Sequence, residues 1–475
     1  MRRVGLIALL AATALFQGGG EERSTALAQA PARPNIVVIM TDDQTAESLR
    51  VMANVKRLLA DRGTSFANSF TVYPQCCPSR ATFLTGQYAH NHGVLGNSPP
   101  AGGYIKLDHS NTLPVWLQAA GYYTVHLGKY LNGYGGRDPR EIPPGWTEWR
   151  GSVDPSTYRY TGYTLNENRT LTTYAGYQTD VYAQKAAEII RRRAPLARPF
   201  FLSVAFLAPH SGAPTDLDDP GAGIVTPSPA PRHRDAFAAE PLPRPPSFNE
   251  ADVSDKPSGI RSRSLLPAER IRAIRENYQQ ELESLLAVDE GVARIVAALQ
   301  ASGELANTVV IFTSDNGFFH GEHRVAQGKN LPYEPAIRVP LVLRGPGVPA
   351  GLRLTQRVAN VDLAPTIVDA ANATARRLLD GRSLLPLLAS PTTPLNRDLV
   401  VERGPGADPY AALRTSRYLY VEYASGAREL YDLVTDPYEI RSRHADPAYA
   451  SVRADLAPRL ARMRTCRGAT CRAAP

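Results

Sequence analysis

Acidic residues follow two short apolar runs of the sequence, and their side-chain types suit a metal ion. Asp42 and Asp43 follow the run 35–40 after one threonine, and Asp315 and Asn316 come directly after the run 309–314. Three carboxylates and one amide oxygen form a hard ligand set that suits Ca²⁺ or Mg²⁺ and not zinc. Either pair alone fits a strand-end turn or a helix cap. The two pairs together favour a metal site.

A cysteine stands just before a proline that can open a helix. Cys76 precedes Pro78 by two residues, so a helix N-terminus would favour negative charge beside the cysteine side chain. Arg80 would add a fixed cation to this position. An anion-binding nucleophile, a merely buried cysteine and a vicinal disulfide with Cys77 all fit these surroundings. Chemistry alone does not decide among the three.

Lysine is rare in this chain, which has six lysines and 47 arginines. Where a lysine persists, its compact and rotatable ammonium has a use that arginine does not serve, and Lys129 and Lys329 both lie in motif-like segments. The net charge of +8 suits either an anionic substrate or a merely solvated surface. Because the arginines are scattered and form no stripe or basic helix, we expect no nucleic-acid partner.

Strands that alternate with helices predict an α/β fold, with helices on both faces of the sheet. Apolar and β-branched runs predict strands at 35–40, 122–127, 200–205 and 308–312, followed later by shorter strands at 399–402 and 418–423. Helices are predicted at 46–61, from 79, at 112–120, 268–301 and 448–463. In such a sheet ligands collect at the carboxyl ends of strands, so both acidic pairs are expected at one edge.

The sequence pattern predicts a large domain at 31–385 and a smaller C-terminal α+β subdomain at 386–475, where the pattern changes to short segments. Within the first, residues 211–262 are rich in proline and lack periodicity, which predicts a long surface excursion. An excursion of this length in a compact enzyme is either a lid or substrate wall, or a loop that is merely tolerated.

The first 30 residues have the pattern of an export signal. Arg2 and Arg3 precede an apolar run of about 13 residues, which is shorter than the roughly 20 needed to span a bilayer, and a small-residue cleavage site ends near Ala30. We therefore expect a secreted, periplasmic or extracellular protein with no stable membrane anchor. Cys466 and Cys471 are predicted to form a disulfide in that oxidising compartment.

The segment Cys76–Gly86 reads C-x-P-S-R-x-x-x-L-T-G and resembles the signature of the type I sulfatases at every fixed position. In that family a formylglycine-generating enzyme oxidises the first cysteine, so the resemblance implies that Cys76 is the precursor of formylglycine. It also implies an alkaline-phosphatase-like fold with one large mixed sheet. The further family-like segments are 34–44, 127–129, 208–210, 313–317, 328–329 and 429–437.

Several stretches resemble one subgroup, the N-acetylglucosamine-6-sulfatases and the extracellular heparan endosulfatases. They are 76–80, 90–92, 128–132, 142–146, 251–257 and 466–471. One position departs from many sulfatases, because Leu131 stands where they have a histidine that acts as a base toward the aldehyde hydrate. Asn132 or a neighbouring histidine is an open replacement. His90, His92, His320 and His323 lie near motifs, and each alone fits a structural or substrate-contacting role better than a catalytic one.

The resemblance implies a role for each site residue. The metal ligands would be Asp42, Asp43, formylglycine at Cys76, Asp315 and Asn316, holding Ca²⁺ with Mg²⁺ as the alternative. Arg80, Lys129 and Lys329 would offset charge on the transferred sulfate, and either His210 or Lys329 would protonate the leaving alcohol.

The implied reaction is hydrolysis of a sulfate ester by hydrated formylglycine, on 6-O-sulfated glucosamine-type glycans. A broad aryl sulfatase, and a phosphodiesterase or phosphonate hydrolase of the same superfamily, are the alternatives. A non-catalytic binder of sulfated glycans is the third alternative, and it applies if Cys76 is never converted.

Overall fold

The computed structural model describes residues 1, 33–216, 219–406 and 408–473. The predicted signal peptide therefore lies, apart from its first residue, outside the described residues. Within the described part of the chain, no helix combines the length and the apolar character that crossing a membrane requires.

A large mixed sheet positions the acidic strand ends. Its strands are β1 (Asn35–Asp42), β2 (Thr64–Phe70), β3 (Tyr123–Gly128), β4 (Glu148–Ser152), β5 (Tyr163–Glu167), β6 (Thr170–Tyr174), β7 (Phe200–Pro209), β8 (Thr308–Ser314), β9 (Leu341–Arg344) and β10 (Leu352–Ala359). Their spatial order is β10-β2-β9-β8-β1-β7-β3-β4-β5-β6. The central strands β8, β1, β7, β3 and β4 are parallel, whereas β9 and β5 run antiparallel to their neighbours.

Helices cover both faces of this sheet, as the sequence predicts. The helices are α1 (Cys76–Thr85), α2 (Ala89–His92), α3 (Leu113–Ala119), α4 (Gln178–Arg193), α5 (Ser258–Arg261), α6 (Ala268–Ala301), α7 (Glu334–Ile337), α8 (Leu363–Ala370), α9 (Leu385–Ala389) and α10 (Ala450–Met463). Ile36 and Val38 of β1 pack in one core layer with α1, α3 and α8. Val37 and Ile39 pack on the opposite face with α4 and α6. Burial on both faces explains why β1 reads as a continuous apolar run.

The segment between the sheet and the long helix contains little regular secondary structure. Between the end of β7 at Pro209 and the start of α6 at Ala268, α5 is the one helix among the described residues, and no strand occurs there among them. The stretch predicted as one helix at 46–61 differs, because it forms a 3-10 helix at Glu47–Val51 and a π-helix at Val55–Ala60.

A second, antiparallel sheet forms the smaller C-terminal part. Its strands are β11 (Leu399–Arg403), β12 (Tyr410–Arg414), β13 (Tyr418–Tyr423) and β14 (Arg428–Asp432), in that spatial order. Leu456 and Leu460 of α10 pack into the core of this sheet. The predicted disulfide between Cys466 and Cys471 is formed. The domain boundary at residue 386 stays a prediction.

Candidate active site

Four adjacent parallel strands bring the predicted site residues to one edge of the large sheet. In the register, Asp42 at the end of β1 lies opposite Pro209 of β7, and Thr41 lies opposite Ser314 of β8. The residues that follow these strand ends therefore emerge side by side. They are Asp43 after β1, Lys129 after β3, His210 after β7, and Asp315 with Asn316 after β8. We call this the active-site edge.

The three aspartates of the active-site edge form a buried cluster. Asp42, Asp43 and Asp315 place one carboxylate oxygen each within 4.8 Å of one another. The backbone N–H of Asp43 donates to Oδ1 of Asp315 at 3.2 Å. Burial, together with the charge of Asp42, raises the pKa of Asp315 to about 6 although Arg80 opposes the shift. This proximity of like charges is the electrostatic condition that a cation relieves.

Asn316 completes an oxygen-rich set that fits a divalent cation. Its Nδ2 donates to Oδ1 of Asp43 at 2.6 Å, whereas its buried Oδ1 accepts no hydrogen bond from any residue that the structure describes. A buried acceptor without a hydrogen bond destabilises the folded protein unless a bound ligand interacts with it. All the atoms that could coordinate a metal are carboxylate or amide oxygens, so the set suits Ca²⁺ or Mg²⁺.

Cys76 lies at the first residue of α1, and its thiol faces the aspartates. Its Sγ donates to Oδ1 of Asp42 at 3.3 Å and accepts from Nζ of Lys329 at 3.0 Å. Burial and the charge of Asp42 raise the pKa of the thiol to about 12 although two lysines oppose the shift. A thiol in this position stays protonated, so as an unmodified cysteine it is a poor nucleophile.

Arg80 is a fixed cation that links the aspartates. Its Nε donates to Oδ2 of Asp315 at 2.8 Å, its Nη1 donates to the carbonyl of Lys129 at 2.9 Å, and its Nη2 lies 3.3 Å from Oδ2 of Asp42. Burial disfavours the charged guanidinium, but Asp315 and Asp42 outweigh burial and keep the pKa of Arg80 above its usual value. The side chain is a structural counter-ion with defined geometry.

The two predicted lysines also reach the cluster. Nζ of Lys129 contacts Asp42, and Nζ of Lys329 contacts Asp43. Burial lowers both ammonium pKa values, yet the facing carboxylates outweigh it and raise them. Gly328 has φ +122°, a conformation that favours glycine, and the following loop is held by the N–H of Asn330 on the carbonyl of Pro74 at 3.1 Å.

His210 lies at the rim of the site. Its Nδ1 bonds the carbonyl of Ser211 at 2.7 Å, so Nδ1 carries the proton there, and Nε2 lies 3.7 Å from Oδ2 of Asp43. Burial lowers the pKa of His210 although Asp43 and Asp42 oppose the shift. The neutral ring therefore presents the lone pair of Nε2 to the site.

Tyr158 is a site residue that the sequence reasoning missed. Its ring lies under the ammonium of Lys129, 4.7 Å from the ring centroid, and 5.2 Å from the ring of His210. Nδ2 of Asn132 donates to its hydroxyl at 2.6 Å. Leu131, by contrast, is buried in the hydrophobic core. Tyr158 thus packs against Lys129 and His210, and Asn132 holds the hydroxyl of Tyr158.

The other histidines near motifs have structural partners. His90 bonds Glu402, His92 bonds Thr82, His320 bonds Glu281 and His323 bonds Glu250. Each pair lies outside the set of residues that contacts the three aspartates. Burial lowers the pKa of His320, but the buried carboxylate of Glu281 raises it above its ordinary value.

Family models cover most of the chain. A model described as Sulfatase matches residues 34–373, and a model described as N-sulphoglucosamine sulphohydrolase, C-terminal, matches residues 321–466. The class that the fold and these matches define is the sulfuric ester hydrolases. The chain belongs to the sulfatase family, which confirms the predicted family.

Curated relatives agree with this assignment. The chain is 34% identical to an arylsulfatase of Volvox carteri, over 94% of this chain and 76% of the relative. It is 31% identical to the N-acetylglucosamine-6-sulfatase of Homo sapiens, over 93% of this chain and 86% of the relative. It is 36% identical to a putative extracellular sulfatase Sulf-1 homologue of Caenorhabditis elegans, over 75% of this chain, and spans about half, 49%, of that relative.

A solved structure shares the whole architecture. It is described as a complex with its substrate D-glucosamine-2-N,6-O-disulfate, and it is similar to this chain with a TM-score of 0.76 and 25% identity. The similarity covers 90% of this chain and 97% of that chain. The predicted fold class, a large mixed sheet with helices and a smaller C-terminal part, is thereby confirmed.

Proposed function

We propose that this sulfatase hydrolyses sulfate esters with a formylglycine made from Cys76 and one divalent cation, and that its substrates are 6-O-sulfated glucosamine-type glycans. The observation that carries the proposal is the convergence of Cys76, three aspartates and Lys329 in one buried cluster. The high pKa of the Cys76 thiol supports the proposal. A protonated thiol is a poor nucleophile, so residue 76 would attack a sulfate ester only after its conversion to formylglycine.

The cation would be held by Asp42, Asp43, Asp315 and Asn316, with residue 76 beside them. Bound there, Ca²⁺ would neutralise sulfate oxygens as a Lewis acid, and formylglycine would supply a hydrated aldehyde as nucleophile. Calcium is preferred over magnesium because the set offers several carboxylates directly, whereas Mg²⁺ keeps more of its waters.

The basic residues of the chain would hold the sulfate group and its charge. Lys329 contacts both Sγ of Cys76 and a carboxylate of Asp43, so its ammonium lies beside the reacting position. Lys129 follows the end of β3, and its ammonium contacts Asp42. Donors that are already in place stabilise developing charge without reorganisation.

Two groups can hold the proton for the leaving alcohol. His210 would deliver it from Nε2 after the ring gains a second proton, since Nδ1 is committed to the carbonyl of Ser211. Lys329 keeps its proton at neutral pH because its pKa is raised. A sugar alkoxide needs this proton far more than a nitrocatecholate does, so the two leaving groups separate the roles.

The substrate class rests on relatives. The human relative is named N-acetylglucosamine-6-sulfatase, and the solved structure is described as a complex with D-glucosamine-2-N,6-O-disulfate. An aryl sulfatase of broad specificity is the second candidate, which the similarity to the arylsulfatase of Volvox carteri favours. Export through a cleaved signal is also part of the proposal, and the Cys466–Cys471 disulfide supports it.

The test is co-expression with a formylglycine-generating enzyme, followed by peptide mass measurement at position 76. We expect the aldehyde, and release of sulfate from N-acetylglucosamine 6-sulfate and 4-nitrocatechol sulfate that requires Ca²⁺ and is abolished in Cys76→Ala. If the aldehyde is present and only a phosphodiester or phosphonate is cleaved, the proposed substrate class is wrong. A higher kcat/KM on 4-nitrocatechol sulfate than on N-acetylglucosamine 6-sulfate would support the aryl sulfatase instead.

The same assay ranks the two proton donors. The donor variant, His210→Asn or Lys329→Gln, should lose more activity on the sugar sulfate than on the catechol sulfate. The other variant should lose activity on both substrates by a similar factor.

A further inference from the structure

A cavity of about 1070 Å³ lies beside the part of the large sheet formed by β2, β9 and β10. Its walls include Ser65 of β2, Leu341 of β9 and Arg353 of β10. None of Cys76, Arg80, Lys129, His210 and Lys329 lines it. We call this cavity the basic groove.

Three cations of the basic groove are free to bind a ligand. Lys56, Arg244 and Arg353 all line it and are exposed. Among the described residues, no hydrogen bond or ion pair is made by the side chain of any of the three; the guanidinium of Arg244 lies 5.4 Å from the ring centroid of Phe248. Unpaired cations on concave walls attract anions more strongly than cations on a flat surface do.

The carboxylates of the basic groove are already engaged within the protein. Glu47 accepts from Arg50, Glu334 accepts from Arg414, and Glu322 accepts from the backbone N–H of His320. The fourth, Glu439, accepts from the N–H of Glu334 at 3.1 Å. Burial raises the pKa of Glu439 well above its usual value, which favours its neutral form. The groove therefore presents three unpaired cations, whereas Glu322 is the one carboxylate among these four that keeps its charge without an arginine or lysine partner.

Aromatic surface accompanies the cations. Tyr438 is 46% exposed and lines the groove together with Phe318. An exposed ring with a polar tip suits a ligand that is apolar on one face and hydrogen-bonding at its rim. A pyranose ring has this character, and its sulfate groups would meet Lys56, Arg244 and Arg353.

We propose that the basic groove binds a sulfated polysaccharide chain as a second site, separate from the active-site edge. That the ligand is a sulfated polysaccharide rests on the proposed function. That the ligand is anionic rests on the three unpaired cations of the groove itself. Both loops that carry metal ligands continue into its walls, since Thr45 follows Asp43 by two residues and Phe318 follows Asn316 by two. A chain long enough to occupy both sites gains effective concentration at the active-site edge.

Binding is tested on the Cys76→Ala protein, so that no turnover is needed. The groove variant combines Lys56→Gln, Arg244→Gln and Arg353→Gln, and the probe is a fluorescent heparin-derived octasaccharide at about 0.1 M salt. We expect the Kd to rise about tenfold, because each exposed ion pair contributes a small factor and three are removed. Binding should also weaken as salt rises.

A matched control removes the same charge elsewhere. Lys106→Gln, Arg272→Gln and Arg294→Gln change three exposed cations that do not line the groove. The control should bind the octasaccharide with a Kd within about twofold of the parent. Equal weakening in both variants would show that net charge alone attracts the glycan, and no weakening in the groove variant would overturn the site.

Activity on short and long substrates provides the second measurement. With Cys76 restored, the groove variant should cleave 4-nitrocatechol sulfate as the parent does, but show a several-fold higher KM on a sulfated polysaccharide. If no variant releases sulfate, the proposed function fails while the binding result still decides whether the groove is a site. An unchanged KM on the polymer with a raised Kd for the octasaccharide would overturn the link between the two sites.

Discussion

Substitution of Tyr158 tests how strongly its ring stabilises the ammonium of Lys129. Its ring is 4.7 Å from Nζ of Lys129 and 5.2 Å from the ring of His210. Lys129 is almost fully buried. If the ring of Tyr158 were removed, water could not easily take its place beside the ammonium. A cation–π contact in such a desolvated place is worth about 2 kcal/mol. Tyr158→Leu should therefore reduce kcat/KM about thirtyfold.

Tyr158→Phe separates the ring from the hydroxyl. The phenylalanine ring keeps the contact with Lys129 and loses only the hydrogen bond from Asn132, which is worth about 1 kcal/mol. We expect a loss of about fivefold, smaller than that of the leucine variant. The assay is sulfate release from 4-nitrocatechol sulfate, with thermal unfolding to show that both variants are folded.

Two outcomes would refute this reasoning. Equal losses in the phenylalanine and leucine variants would assign the effect to the hydroxyl and not to the ring. Full activity in the leucine variant would show that Asp42 alone positions Lys129.

Two further predictions concern stability. Arg80→Met leaves Asp42 and Asp315 without their buried partner and should lower the free energy of unfolding by about 3–5 kcal/mol in EDTA. Excess Ca²⁺ should recover more stability in this variant than in the parent, as measured by denaturant titration, and a variant as stable as the parent in EDTA would contradict the assignment. Burial lowers the pKa of His90, but its bond to Glu402 outweighs burial and raises the pKa above 6.5. The stability lost in His90→Gln should therefore be largest below about pH 6 and shrink as the pH rises through the raised pKa, because only the protonated ring is stabilised; a loss that is constant from pH 5 to 9 would contradict it.

Long periodic elements were predictable from sequence, and elements fixed by distant partners were not. The helix predicted at 268–301 appears as α6 with those bounds, because one apolar face repeats along 34 residues. The helix predicted at 46–61 is interrupted, because the carboxylate of Asp289 accepts the N–H groups of Asn54 and Val55. A partner that lies more than 230 residues away leaves no local pattern. The strand β2 was missed because Thr64–Phe70 carries small and polar residues with little alternation.

The candidate site shows the same division. The acidic pairs at the ends of β1 and β8 were predictable because parallel strands share one edge. Their closeness follows from the register, in which Thr41 lies opposite Ser314. Tyr158 was not predictable, because it stands in the short 3-10 helix Ser156–Tyr158 with no motif around it. Its role depends on where the chain returns after β4, which local sequence does not specify.

The choice between arginine and lysine at the site follows from what each side chain contacts. Arg80 uses its fork on Asp315, on Asp42 and on a backbone carbonyl, so every contact holds the protein itself together. Lys129 and Lys329 each reach a carboxylate as single flexible charges, and Lys329 also touches Sγ of Cys76. A point charge can change partner without breaking a planar pair of hydrogen bonds. At the active-site edge, lysine therefore stands where one flexible charge meets a carboxylate, and arginine stands where several fixed hydrogen bonds hold the protein together.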